Sequence, residues 1–155
     1  MTQPPRISRV NRVDLKAIDP IDPSLELMYF GLKGMTREAD EMLAEHGLGR
    51  AHHRILFVIA RFDGISVGAL RDNLGISAQA LHRPLKQLQE RGLVAVSRNP
   101  TEHRSKGLHL TESGRAIEHA ASEAERSVMR EAFRRAGKTA EKHWAEVMKA
   151  IATNA

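Results

Sequence analysis

The chain has no cysteine among its 155 residues. Disulfides, thiol nucleophiles, thiol redox sensing and cysteine-ligated zinc are excluded together. Aromatic side chains are scarce as well, with one Trp, one Tyr and four Phe. A protein that holds single-stranded nucleic acid on stacking platforms needs more of them. The longest uninterrupted apolar run, Ile55 to Ala60, is far too short to span a membrane, and no signal-peptide pattern opens the sequence. The expectation from these absences is a cytoplasmic protein with no membrane partner. What is present, 41% hydrophobic and 28% charged residues, suits one soluble domain or a compact subunit with an appended arm.

Charge is unevenly spread. Residues 50 to 106 carry ten basic and four acidic groups, a surplus of six, whereas residues 24 to 49 carry two and five. The two ends are each close to neutral. A basic block inside a folded region points to a polyanionic partner, with a solvated basic surface as the plainer alternative.

Four of the six prolines, Pro4, Pro5, Pro20 and Pro23, fall in residues 1–23, which read as a partly flexible arm. Asp22 reads as an N-cap and Pro23 as the first residue of a long amphipathic helix closed by Gly47. Leu25, Met28, Leu32, Met35 and Met42 form its stripe. A second helix is expected from Arg50 to Phe62, with Ala51, Ile55, Val58, Ile59 and Phe62 inward and Asp63-Gly64 as its stop. Val67 to Leu74 forms a short helix ended by Gly75, and Ser77 caps another that runs to about Arg91 and Gly92. Leu93–Arg98 and Lys106–Thr111 read as strands joined by a polar loop. Thr111 caps a helix to about Arg135, and Thr139 caps a last one carrying Trp144, Val147, Met148 and Ile151. The first and the last two helices leave much apolar surface uncovered within one chain, which suggests a second subunit.

Short helix, tight turn, second helix and two-stranded hairpin make a winged helix-turn-helix, so the expected fold is mostly α with a small β-hairpin wing (α+β). Residues 24–49 are expected to be a first dimerisation helix, 50–111 the winged helix-turn-helix and 112–155 the C-terminal dimerisation helices. At 100° per residue, Ala80, Leu81, Pro84, Leu85 and Leu88 share one arc of the helix after the turn. Gln79, His82, Arg83, Lys86 and Gln87 share the opposite arc. An outward face of amide, imidazole, guanidinium and ammonium groups offers base-edge donors and phosphate partners together. A merely solvated face would mix in acids, and none appears before Glu90.

The stretch Ile55 to Gly114 resembles the multiple-antibiotic-resistance regulator (MarR) family of winged-helix repressors. The resemblance rests on Leu70, Leu74, Gly75-Ile76-Ser77, Leu88, Arg91-Gly92-Leu93-Val94, Arg104-Ser105 and Leu108-His109-Leu110-Thr111-Glu112-Ser113-Gly114. It implies a homodimer bound to double-stranded DNA, with the reader helix in the major groove and the wing in the adjacent minor groove. The candidate DNA contacts are then Ser77, Gln79, His82, Arg83 and Lys86 on the helix-turn-helix and Arg98, Arg104 and Lys106 on the wing. The family's wing carries Asp-x-Arg, with the acid bracing the arginine; here Glu102-His103-Arg104 stands in its place. The resemblance also implies a small-molecule pocket where the DNA-binding lobe meets the dimerisation helices, with a small aromatic acid as effector. Tyr29, His52, His53 and Arg54 are candidates to line it. The plainer alternative is that His52 packs beside Ile59 as an interior histidine and Arg54 is solvated.

Eight histidines raise the question of a metal. His52 and His53 point about 100° apart and cannot chelate as an i, i+4 pair would. His119 and Glu123 have that spacing, as many surface pairs do. Neither a metal site nor a cofactor is expected. Catalysis lacks a Gly-x-Ser-x-Gly elbow, a Walker loop and a dinucleotide fingerprint, so an enzyme is not expected. The expected function is that of a sequence-specific double-stranded DNA-binding transcriptional regulator, with a winged-helix protein-interaction module or a metal-responsive regulator as the alternative.

Overall fold

The computed structural model describes residues 19–98 and 106–153. In chain order these form α1 (Asp22–Glu45), α2 (Arg50–Arg61), α3 (Val67–Leu74), α4 (Ala78–Glu90), β1 (Val94–Arg98), β2 (Lys106–Leu110), α5 (Glu112–Ala136) and α6 (Ala140–Ala152). The chain makes two compact units, Met1–Arg37 and Glu38–Ala155.

Of the expected arm, residues 1–18 lie outside the described residues. In the rest of the first unit the N–H of Ile21 donates to Oδ1 of Asp19, and the N–H of Asp19 donates to Oδ2 of Asp22. Asp22 is therefore already the first helical residue and not the cap, with its carboxylate turned back onto the incoming chain. An acid there is favoured by the unpaired N–H groups of the first turn. Leu25, Met28 and Leu32 are exposed.

The core of the second unit gathers Leu43 of α1, Ile55, Leu56 and Ile59 of α2, Leu70 of α3, Leu81 and Leu88 of α4 and Leu108 of β2, all essentially closed to solvent. Short side chains and glycine stops set the helix ends. Ser66 and Ser77 accept the N–H groups of Ala69 and Ala80, which caps α3 and α4. Gly75, at φ +63°, ends α3 in the left-handed conformation that lets α4 leave at once. Pro84 removes a donor inside α4, yet the helix runs through it to Glu90.

Two residues of the expected α2 stripe face the other way. Ala51 and Phe62 are exposed, whereas Leu56 is buried. Phe62 falls beyond the last helical residue, where its backbone leaves the helical register. Thr139 precedes α6 but makes no side-chain cap, because its own backbone is already helical.

β1 and β2 pair antiparallel, with Val94 opposite Leu110, Ser97 opposite Gly107 and Arg98 opposite Lys106. Ile65 pairs with Leu108 as a stub of a third strand, which ties the middle of the hairpin to the turn after α2. Thr111 then joins the wing to α5. Its hydroxyl donates to the carbonyl of Gly92 at 2.7 Å and accepts the N–H of Gly114 at 3.0 Å.

Candidate nucleic-acid interface

The alternation of α4 places Leu81, Leu85 and Leu88 in the core, so the arc between them must face out. Gln79, His82, Arg83 and Lys86 are all exposed on it. The side chains of Gln79, His82 and Arg83 have no hydrogen-bond or ion-pair partner among the described residues; that of Lys86 makes only an exposed pair with Glu90, 3.6 Å away. Long cationic and amide side chains that the fold leaves unsatisfied are available to phosphates and base edges. Ser77 has a structural task, since its oxygen holds the N–H of Ala80 at 3.1 Å, while its O–H stays free to donate outward. An open groove of about 590 Å³ runs beside this face, floored by Val67, Leu81 and Leu85 and rimmed by Arg71, His82 and Lys86.

Gln87 does not belong to this face. It is half-buried, and its Oε1 lies 2.8 Å from Nε2 of His52. The N–H of Gly49 donates to Nδ1 of the same ring at 3.0 Å, so Nε2 carries the proton and donates to Gln87. His52 thereby caps α2 and fastens it to α4.

The interior histidine is His53, not His52. It is buried between α2 and α5, with Nε2 3.2 Å from Oγ of Ser122. The Ser122 hydroxyl donates its single proton to Glu118 at 2.7 Å, so Nε2 of His53 must be the donor to Ser122. Nδ1 is then unprotonated and faces the Arg50 guanidinium at 3.4 Å, with Glu125 Oε1 3.6 Å away. Arg50 also pairs with Glu125 and Asp40. Burial lowers the His53 pKa from the ordinary value, against the pull of Glu125. Burial alone would raise Glu118, but the Ser122 hydroxyl and the Arg61 guanidinium outweigh it and hold the carboxyl below the usual range.

The other candidate residues are dispersed. Arg54 is exposed, with its guanidinium 5.1 Å from the Phe57 ring centre. Tyr29 belongs to the first unit, is exposed and lies beside Lys33. Lys106 is exposed at the start of β2. Arg98 ends β1, whereas Arg104 and its neighbours Glu102 and His103 lie outside the described residues. Sequence reasoning missed the Ser122–Glu118–Arg61 chain. Its signal was faint: two polar residues at i, i+4 on a long helix, indistinguishable from a surface pair until α2 is packed against them. Among the described residues, no group of three or more His, Asp or Glu is placed to hold a metal ion, and no helix is long and apolar enough to cross a membrane.

A capped helix-turn-helix with a cationic outward helix, followed by a two-stranded wing, defines a winged-helix DNA-binding protein. Comparison with known proteins agrees. The sequence model of the MarR family matches residues 46–105. The HTH-type transcriptional regulator PetP of Rhodobacter capsulatus is 39% identical over 127 residues, which cover 82% of this chain and 76% of PetP. The chain belongs to the MarR family: it is a DNA-binding transcriptional regulator, not an enzyme. The fold is shared with the MepR–DNA complex of Staphylococcus aureus, at a TM-score of 0.68, 16% identity and coverage of 85% of this chain and 98% of MepR. It is shared too with Staphylococcus aureus MarR in complex with salicylate and kanamycin, at a TM-score of 0.64, 18% identity and coverage of 83% and 90%.

Proposed function

We propose that this regulator is a homodimeric repressor that binds a pseudo-palindromic operator and is released by a small aromatic acid. The carrying observation is the outward face of α4, where Gln79, His82, Arg83 and Lys86 are exposed and nothing acidic stands before Glu90. On this reading Arg83 reads a base edge, Gln79, His82 and Lys86 flank it, Ser77 donates to a phosphate, and Arg98, Arg104 and Lys106 serve the wing. A protein-docking face would instead carry exposed apolar side chains at these positions. The effector is supported by the salicylate complex of the Staphylococcus aureus MarR and by the exposed guanidinium of Arg54 beside an aromatic ring. His52 and His53, in the same unit as Arg54, remain its other candidate residues, and both would have to give up internal hydrogen bonds to meet a ligand.

Selection of bound genomic fragments, followed by fluorescence anisotropy, tests the reading. Arg83→Ala is expected to cost about 1–3 kcal/mol on the selected site and much less on random duplex. Equal losses on both would reduce Arg83 to a phosphate contact. Salicylate titrated into the complex is expected to free the DNA, and an unchanged affinity at saturation would remove this class of effector.

A further inference from the structure

Three side chains that the reader helix does not use meet along the wing hairpin, Asp63, Ser97 and His109. His109 lies on β2 opposite Ala95, and its ring reaches diagonally across the hairpin to Ser97, with Nε2 2.6 Å from Oγ. Its Nδ1 lies 2.9 Å from Oδ1 of Asp63, in the turn after α2. A carboxylate can only accept, so Nδ1 carries a proton and donates to Asp63. In the neutral ring Nε2 then accepts from the Ser97 hydroxyl. One imidazole thus joins both strands of the hairpin to the body of the domain.

The surrounding backbone makes room for the ring. Gly107, the register partner of Ser97, has no side chain, and a Cβ there would stand 3.2 Å from Nε2 of His109 and 3.0 Å from the carbonyl oxygen of Gly64. Gly64 adopts φ +81° and donates its N–H to the carbonyl of Leu108. These backbone bonds hold the hairpin as far as its middle register pair, Val96–Leu108. Further out, Ser97 and Lys106 are exposed. The Ser97–Gly107 and Arg98–Lys106 pairs lie beyond that bridge, and the side-chain tie to Ser97 carries the hold on the body of the domain one register pair further out.

We propose that the Asp63–His109–Ser97 strap sets the pitch of the wing, which makes His109 a positioning residue for DNA binding. The proposal rests on the reading that the wing reaches the DNA. Asp63 is largely exposed and a third of the His109 side chain is open, so the tie adds little to global stability. Its effect falls on where the wing points.

The test is a double-mutant cycle with Arg104→Ala in the full-length protein, read by anisotropy on the selected operator. His109→Ala is expected to weaken binding by about threefold to tenfold in the parent and to have no further effect once Arg104 is alanine. Thermal unfolding and light scattering are expected to match the parent. Asp63→Asn, which keeps the acceptor, is expected to bind as the parent does, and Asp63→Ala to bind as His109→Ala does. Should His109→Ala fold poorly, Ser97→Ala removes only an exposed hydroxyl and carries the same expectation. Parent-like affinity of the strap variants, with a clear loss for Arg104→Ala, overturns the strap and leaves the wing reading standing. Equal losses in both backgrounds overturn it too. If Arg104→Ala binds as the parent does, the wing reading fails and the strap falls with it.

Discussion

Gly114 lies where the first turn of α5 crosses the backbone of Leu93, and a Cβ there would overlap the Leu93 carbonyl, 2.9 Å from its carbon. Backbone cannot yield as a flexible side chain can. Gly114→Ala is therefore expected to destabilise by about 1–3 kcal/mol. Gly68, in α3, has nothing within 4 Å of its Cβ position, and Gly68→Ala is expected to stabilise by roughly 0.5–1 kcal/mol through reduced chain entropy. Urea unfolding of the pair measures both signs. His53 makes a second residue-scale prediction. Its folded pKa lies below the ordinary 6.5, so between the two values the unfolded chain binds the extra proton. The stability from burying the neutral ring is full above pH 6.5 and is lost as pH falls through the folded value. His53→Gln is expected to flatten that part of the stability profile, and a profile as steep as the parent's would assign the slope to another group.

At the scale of elements, α4 owes its place to both of its ends and to one side. Ser77 holds the N–H of Ala80, the chain turns away at Gly92, and Gln87 is tied to His52 on α2. Ser77→Ala is expected to cost about 1 kcal/mol of stability. Because the frayed turn carries Gln79, operator affinity is expected to fall with it. A Ser77→Asp control separates the two effects: it restores the cap but adds negative charge beside the DNA, so stability returns and affinity does not. Recovery of both would mean that the hydroxyl meets no phosphate.

For the whole molecule, the charge surplus of residues 50–106 and the exposed apolar faces of the end helices make separate predictions. Binding that neutralises Z phosphates gives a slope of log K against log salt of about −0.9Z on duplex DNA. A dimer presenting Arg83, Lys86, Arg98, Arg104 and Lys106 twice is expected to show a steep slope in anisotropy titrations, and a nearly flat one would count against the proposed interface. Trp144, Val147 and Ile151 of α6 are exposed in the single chain, as are Leu25, Met28 and Leu32 of α1. Burying one large apolar side chain is worth about 1.5–3 kcal/mol, which favours covering both faces with a second subunit. Deleting residues 138–155 is expected to give a poorly soluble or monomeric protein that binds a full operator no better than a half-site. An intact chain that is monomeric by light scattering at micromolar concentration, with undiminished operator binding, would refute the dimer.

The sequence by itself determined the order of helices and strands, because periodicity, serine caps and glycine stops act over a few residues. It also determined the outward face of α4: three inward leucines at helical spacing leave Gln79, His82, Arg83 and Lys86 no other direction. Contacts between elements distant in the chain were left to the tertiary structure. Which of two adjacent histidines goes inward depends on where α5 lies, and α5 is about 60 residues further on. The turn of Gln87 toward His52, the overlap at Gly114 and the reach of His109 to both Asp63 and Ser97 depend in the same way on packing. Local patterns fix which way a side chain points from its own element; only the assembled elements decide what it meets.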